Sequence, residues 1–225
     1  NRAEDSFLQT KVLEINLYEN PNFAQILLEN NVFSHYDKKK IAQIAERMGL
    51  WQICLENYTD IDDIRKVMMN VHMIKPNYII DYFGRMEPEN QLLCLHDLMR
   101  SNPIQNMNLI IEIAVKYASR IPINELIKLF EKNSSHQGLF LFVNRIINSV
   151  EDPDIILKYI QAGVITNNFA EVQRVIKDLD NYDPEKVLQF FLDNRLVDHR
   201  PLILLCDKHD YIEKLTSYLW KNKLI

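Results

Sequence analysis

Apolar positions recur along this chain with helical spacing, and the polar runs between them carry start and stop signals. The pattern is densest from Asn31 to Gly84. Ile41, Ile44, Ala45 and Met48 fall at i, i+3, i+4 and i+7, on one face of a helix. Trp51, Cys54, Leu55 and Tyr58 repeat that spacing. Ile61, Ile64 and Met68 begin a third stripe, and Ile79 with Phe83 marks a fourth. Asp37 is placed to cap the first of these helices and Gly49 to end it. Thr59 or Asp60 caps the third, with Asp62 and Asp63 in its first turn, where the helix dipole favours negative charge. Pro76 opens the fourth and Gly84 closes it. A helix of about ten residues is marginal alone in water. Four in series, each with one apolar stripe, must bury those stripes against their neighbours, which is the logic of a solenoid of helical hairpins.

The same reading extends to both ends. Leu8, Val12 and Ile15 predict the inward face of a helix from Glu4 to Tyr18, and Asn20-Pro21 restarts one with Phe23, Ile26 and Leu27 inward. Later stripes are anchored by Leu95 and Met99, by Ile110 and Ile113, by Leu126 and Phe130, and by Phe142 and Val143. They continue with Ile156 and Tyr159, Val172 and Ile176, Leu188 and Phe191, and Leu202 with Leu205. In the last, capped by Asp210, Ile212, Leu215 and Leu219 face inward. All eight prolines fall where a helix would start, and four follow Asn or Asp. None interrupts a stripe, where it would cost about 3 kcal/mol. The four glycines are few for a sheet protein with many tight turns. The expectation is an all-α chain of about fifteen short helices, one continuous segment over residues 1–225 without an internal domain boundary. A globular bundle would need helices apolar on every side, and only Leu139–Val150 approaches that. The start at Asn1 and the end at Lys223-Leu224-Ile225, in a region that reads as helical, predict a fragment of a longer chain.

Composition narrows the function. The net charge of −5 opposes nucleic-acid binding, and the basic run Lys38–Lys40 reads as a solvated helix start. Cys54, Cys94 and Cys206 form no CxxC pair, so buried thiols in a reducing compartment are expected. The triplets Asn57-Tyr58-Thr59 and Asn133-Ser134-Ser135 match the glycosylation pattern, which matters only in a secreted chain. No apolar run is long enough to span a bilayer. Among six histidines no pair stands at i, i+4, and His35 reads as a turn residue beside Asp37. His199 and His209 flank Cys206 as a nucleophile pair would, but Cys206 sits on an apolar stripe where thiols pack inertly. Asp60, Asp62 and Asp63 start like a calcium loop yet lack its Gly and closing Glu. Met68, Met69 and Met73 read as core. No catalytic, cofactor-binding or metal-ligating residue is therefore assigned.

One family resemblance runs the length of the chain. FSHYDKKKIAQIAERMGL, ENYTDIDDIRKVM and YIIDYFG in the first half resemble the leg of clathrin heavy chains. So do NELIKLFE (Asn124–Glu131), QGLFLFVNRIIN (Gln137–Asn148), EDPDIILKYIQA (Glu151–Ala162), AEVQRVI (Ala170–Ile176) and NYDPEKVLQFFLDNRLVDHRPLILLCDKHDYI (Asn181–Ile212). Trp51 is bulkier than the family pattern at that helix start, and GVITNN at Gly163–Asn168 differs from its usual turn. The resemblance implies a right-handed α–α superhelix and a structural coat protein, not an enzyme. Its leg would pack against other heavy chains in the polyhedral lattice of coated pits and vesicles, on their cytoplasmic face, in endocytosis and intracellular transport. Light chains and adaptors would bind regions outside this segment, with no nucleic acid and no direct membrane insertion. The rival readings are a subunit of a vacuolar or endosomal tethering complex with clathrin-type repeats, and a helical-repeat peptide-binding scaffold.

Overall fold

The structure is a computed structural model and describes residues 2–194 and 196–223. The expected helical end at Leu224 and Ile225 lies outside the described residues. Among the described residues the chain forms fifteen α-helices, two short 3-10 turns and no strand. The helices are α1 (Arg2–Glu19), α2 (Pro21–Glu29), α3 (Lys38–Arg47), α4 (Trp51–Asn57), α5 (Ile61–Met68), α6 (Pro76–Phe83), α7 (Pro88–Ser101) and α8 (Pro103–Lys116). They continue as α9 (Ile123–Lys132), α10 (His136–Ile146), α11 (Pro153–Ile165), α12 (Phe169–Asp178), α13 (Pro184–Asp193), α14 (Arg200–Lys208) and α15 (Ile212–Lys221). Two compact units divide inside α8, one covering residues 1–113 and the other 114–225.

Helix starts follow the sequence signals. Pro21, Pro76, Pro88, Pro103, Pro153 and Pro184 each occupy the first helical position. There the missing N–H is not needed and φ is already set. Pro201 stands second in α14, and Pro122 caps α9 from just outside. The carboxylate of Asp37 accepts from the Lys40 N–H at 3.0 Å, that of Asp60 from Asp62, and that of Asp152 from Asp154. Asp183 accepts from both Glu185 and Lys186 N–H groups. Ser135, not Ser134, caps α10.

Helix ends are less uniform than the starts. Gly84 closes α6 as expected, although outside the left-handed region, with φ −62°. The buried amide of Gln91 on α7 instead donates to the Phe83 carbonyl and satisfies that helix end. Among the described residues six other helices end on a residue with positive φ, Lys223 after α15 and five whose following N–H is described; only Gly49 among those five is glycine. The rest are Asn31, Ser134, Asn167 and Asp210. In each, the N–H of the next residue reaches back to a carbonyl in the last turn, as Leu50 does to Ala45 (2.9 Å) and Asn168 to Gly163 (2.7 Å). Asp210 is therefore the end of α14 and not the cap of α15, which has no side-chain cap.

Within the first unit, α1 packs on α2 and α3, α3 on α4, α4 on α5, and α5 on α7. Within the second, α10 packs on α9 and α11, α11 on α12 and α13, α12 and α13 on α14, and α14 on α15. These packings join first or second neighbours in the chain, so each helix buries its stripe locally. The fully buried side chains include Leu13, Leu17, Met68 and Phe83 in the first unit, and Phe130, Phe142, Tyr159 and Phe191 in the second.

The first two helices turn the other way from the expectation. Thr10, Leu13 and Leu17 face inward on α1, while Leu8, Val12 and Ile15 are exposed. On α2, Ala24 and Leu28 are buried, and Phe23 and Ile26 are exposed. The reason is that α1 is apolar on two sides, and the side contacted by α2 and α3 is the one that is buried. Ile212 at the start of α15 is likewise exposed, with Tyr218 buried in its place. Met69 and Met73 are exposed, leaving only Met68 of that cluster in the core.

Candidate interaction surface

Polar side chains reach from one hairpin to the next at regular separations. Lys40 on α3 pairs with Glu14 on α1 at 3.0 Å, and Arg65 on α5 grips Asp97 on α7 through two nitrogens at 2.6 and 3.2 Å. In the second unit Lys158 on α11 pairs with Glu131 on α9 at 2.6 Å. Lys186 on α13 pairs with Asp154 on α11, and Lys214 on α15 with Glu185 on α13. All five join odd-numbered helices two apart in the chain. The hydrogen-bonded pairs among them are separated by 26 to 32 residues. Loop contacts keep the same interval: Thr10 Oγ1 accepts from the Asp37 N–H at 2.9 Å, and Asn181 Nδ2 donates to the Val150 carbonyl at 2.9 Å. The interval is the length of one helical hairpin. Ion pairing lowers the pKa of Glu14, through hydrogen bonds from Lys11 and Lys40, and of Asp154, through Lys186. The Lys186–Asp154 and Lys214–Glu185 pairs are exposed and fix alignment between hairpins more than they stabilise them, whereas Lys40–Glu14 and Arg65–Asp97 are part-buried.

One further contact gathers several acceptors round a single cation. Lys208 on α14 donates to the carbonyls of Ile176 (2.9 Å), Lys177 (3.3 Å) and Leu179 (2.6 Å) at the end of α12. It also pairs with Asp180 at 2.7 Å and lies over the Tyr182 ring. A single cation thus closes the last turn of α12, where the helix dipole favours positive charge.

The residues singled out for chemistry are taken up by packing. His209 hydrogen-bonds through Nε2 with the Tyr182 hydroxyl (2.9 Å), and His199 through Nδ1 with the Tyr218 hydroxyl (3.0 Å). The structure does not bring them together with Cys206 as a reacting pair. All three cysteines are buried, and burial pushes the Cys54 and Cys94 thiols up to about 12 and raises that of Cys206. Such thiols stay protonated and unreactive near neutral pH. His35 bonds to the Ser34 hydroxyl, and its backbone N–H donates to Gln9 Oε1. Asp60 caps α5, while Asp62 and Asp63 pair with Arg65 and Lys66 one turn on. Asn57, the acceptor residue of one glycosylation triplet, is buried; it accepts from the Tyr36 hydroxyl and donates to the Ile53 carbonyl. Among the described residues no group of three His, Cys, Asp or Glu side chains is placed to hold a metal ion.

Exposed apolar side chains concentrate on the outer faces of the first and last helices. Phe7, Leu8, Ile15, Phe23 and Ile26 form one set, and Ile203, Ile212 and Trp220 the other. In a repeat array such faces are the surfaces on which hairpins stack. Among the described residues no helix is long and apolar enough to cross a membrane.

Comparison with known proteins agrees with this arrangement. A family model described as "Region in Clathrin and VPS" matches residues 1–106 and 114–225. Clathrin heavy chain 2 of Oryza sativa subsp. japonica is 41% identical over 225 residues. The clathrin heavy chain of Dictyostelium discoideum is 39% identical over 225 residues, and clathrin heavy chain 2 of Homo sapiens 39% over 224. In each case 100% of this chain is covered, whereas the chain spans only 13% or 14% of the relative's length. Hairpins stacked in chain order, held at one repeat interval and matched along both units, make this chain a member of the clathrin heavy-chain repeat family, an all-α solenoid class.

Proposed function

We propose that this chain is a leg segment of a clathrin heavy chain, a structural coat component and not an enzyme. Residues 1–225 would form one uninterrupted run of repeats. The similarity to heavy chains over 100% of the chain carries this reading. The unpartnered apolar faces of α1, α2, α14 and α15 suit stacking against adjoining repeats of a longer leg. Legs of several three-legged molecules then run alongside one another, and many small polar contacts close a polyhedral lattice. Small contacts let the lattice come apart again. The coat works on the cytoplasmic face of coated pits and vesicles, in endocytosis and vesicle transport. Its partners here are other heavy chains. Light chains and adaptors bind elsewhere on the molecule, and the membrane is reached only through adaptors.

Electron microscopy of the native full-length protein tests this. Three-legged particles that close into cages are expected. Single rods, or a compact complex of several subunits, would overturn the coat reading in favour of membrane tethering.

A further inference from the structure

Two of the seven methionines stand in water, and they stand close together in the chain. Met69 and Met73 are 61% and 64% exposed, while Met68, Met86 and Met99 are buried and Met48 and Met107 half-buried. Between the exposed pair lies His72, also exposed, whose ring nitrogens have no partner among the described residues. Thioethers ordinarily fill irregular gaps in cores. A pair of them in water beside a free imidazole is explained neither by the packing nor by the coat reading.

The backbone sets the three side chains on one outward face. α5 ends at Met68, and Met69 keeps right-handed helical geometry (φ −68°, ψ −17°). A 3-10 turn follows at Val71–Met73. The Asn70 N–H donates to the Val67 carbonyl at 2.8 Å, Met73 to Asn70 at 3.0 Å and Ile74 to Val71 at 2.9 Å. Met68, Val71 and Ile74 are buried and pin the inner side of the turn. Residues at i and i+3 eclipse in a 3-10 turn, and those at i and i+4 are neighbours on a helix, with Cβ atoms about 5–6 Å apart. Met69 therefore lies beside His72 and Met73, on the side away from the buried set. Methionine is unbranched and freely rotating, so both sulfurs can swing to the imidazole without a backbone movement.

We propose that Met69, His72 and Met73 form a surface site for a single copper(I) ion, held by two thioether sulfurs and one imidazole nitrogen. Thioether sulfur is a soft donor that selects copper(I), and imidazole suits copper as well. All three donors are neutral, which fits a singly charged ion. Zinc prefers a tetrahedral set of thiolate, imidazole or carboxylate, and calcium a cage of oxygens. The thiols that would compete for copper(I) are out of reach, since Cys54, Cys94 and Cys206 are buried. The site does not rest on the coat reading and stands or falls separately from it.

The test is an anaerobic titration of the 225-residue chain with copper(I), supplied as its acetonitrile complex and followed by nuclear magnetic resonance of labelled methionine methyls. The methyl signals of Met69 and Met73 and the ring signals of His72 should shift together and saturate at a single copper per chain. Those of buried Met86 and Met99 should stay in place. Zinc(II) at the same concentration should move neither exposed methyl. Met69→Leu and Met73→Leu conserve volume at exposed positions, so the fold is kept. Loss of even an outer-shell partner of a metal ligand costs about tenfold or more in affinity. Each of these variants, and His72→Gln, should weaken binding by at least that much. Shifts that fail to saturate and spread over the other histidines, copper taken up by the cysteines, or full affinity in the doubly substituted Met69→Leu, Met73→Leu chain would overturn the proposal.

Discussion

Gly163→Ala on α11 should destabilise the second unit, although alanine is the better helix former. The glycine is buried, with no left-handed backbone to protect, so the propensity change alone would add about 1 kcal/mol. Packing opposes it. A Cβ built there would lie 2.6 Å from Val172 Cγ2 and 3.2 Å from Phe140 Cε2. Both neighbours are buried, and Phe140 is pinned in a stack on Tyr159 with centroids 4.9 Å apart. Tyr159 is held in turn by its hydroxyl on Asn144. The neighbours have little room to yield, so overpacking should reach the upper part of its usual range, about 3 kcal/mol. The expected net loss is about 2 kcal/mol, measured by urea denaturation followed by circular dichroism. Val172→Ala removes the colliding methyl. The double variant should therefore be more stable than the sum of the singles by about 1–2 kcal/mol. A neutral or stabilised Gly163→Ala, or strict additivity with Val172→Ala, would refute the reasoning.

Four further outcomes follow from the helix ends and from the burial of Glu56. Ser134→Gly should stabilise by about 0.5 kcal/mol and Gly49→Ala should lose about 1 kcal/mol, both by urea midpoint, because each sits in the left-handed region that a Cβ disfavours. A Cβ at Gly49 would meet Trp51 Nε1 at an ordinary 3.9 Å, so its loss is backbone strain alone. Lys208→Met keeps the stem but strands three carbonyls at the end of α12; a loss of about 2 kcal/mol is expected, with faster hydrogen exchange in α12. Glu56→Gln should stabilise at neutral pH. Burial raises the folded-state pKa of Glu56, so the folded protein is penalised once the carboxyl ionises. Below the ordinary carboxylate pKa both states are protonated and the variant has no advantage. Its advantage should grow as pH rises through the raised value; a difference independent of pH would contradict this.

What the sequence made legible was local. Proline at the first helical turn and Asp or Asn before it act through the backbone of three or four residues, and six helices start on proline as expected. Ends were harder to read, because Asn31, Ser134, Asn167 and Asp210 take the conformation for which glycine is the usual signal. The GVITNN stretch illustrates this: Asn167 makes the turn with φ 60°, and Gly163 serves close packing instead. The face that α1 buries was not legible, since Leu8-Val12-Ile15 and Leu13-Leu17 are equally apolar and only α2 and α3 decide between them. The repeat itself left no matching residues, because what recurs is a contact interval, met by Lys40–Glu14 in one place and by Asn181 on a carbonyl in another.

Neighbour-only packing also determines how far a perturbation travels. In a globule with one shared core, loosening Val172 and Phe140 would lower the stability of every element together. Here α10, α12 and α13 touch α11 directly, and α14 is reached through α12 and α13. Stability in such an array is a sum of hairpin and interface contributions. Gly163→Ala should accordingly speed amide exchange in α10–α12, less in α14, and leave α3–α5 at their original protection. Uniform loss of protection from α1 to α15 would mean that the chain unfolds as a single cooperative body, and the local accounting behind every magnitude above would then have to be replaced by a global one.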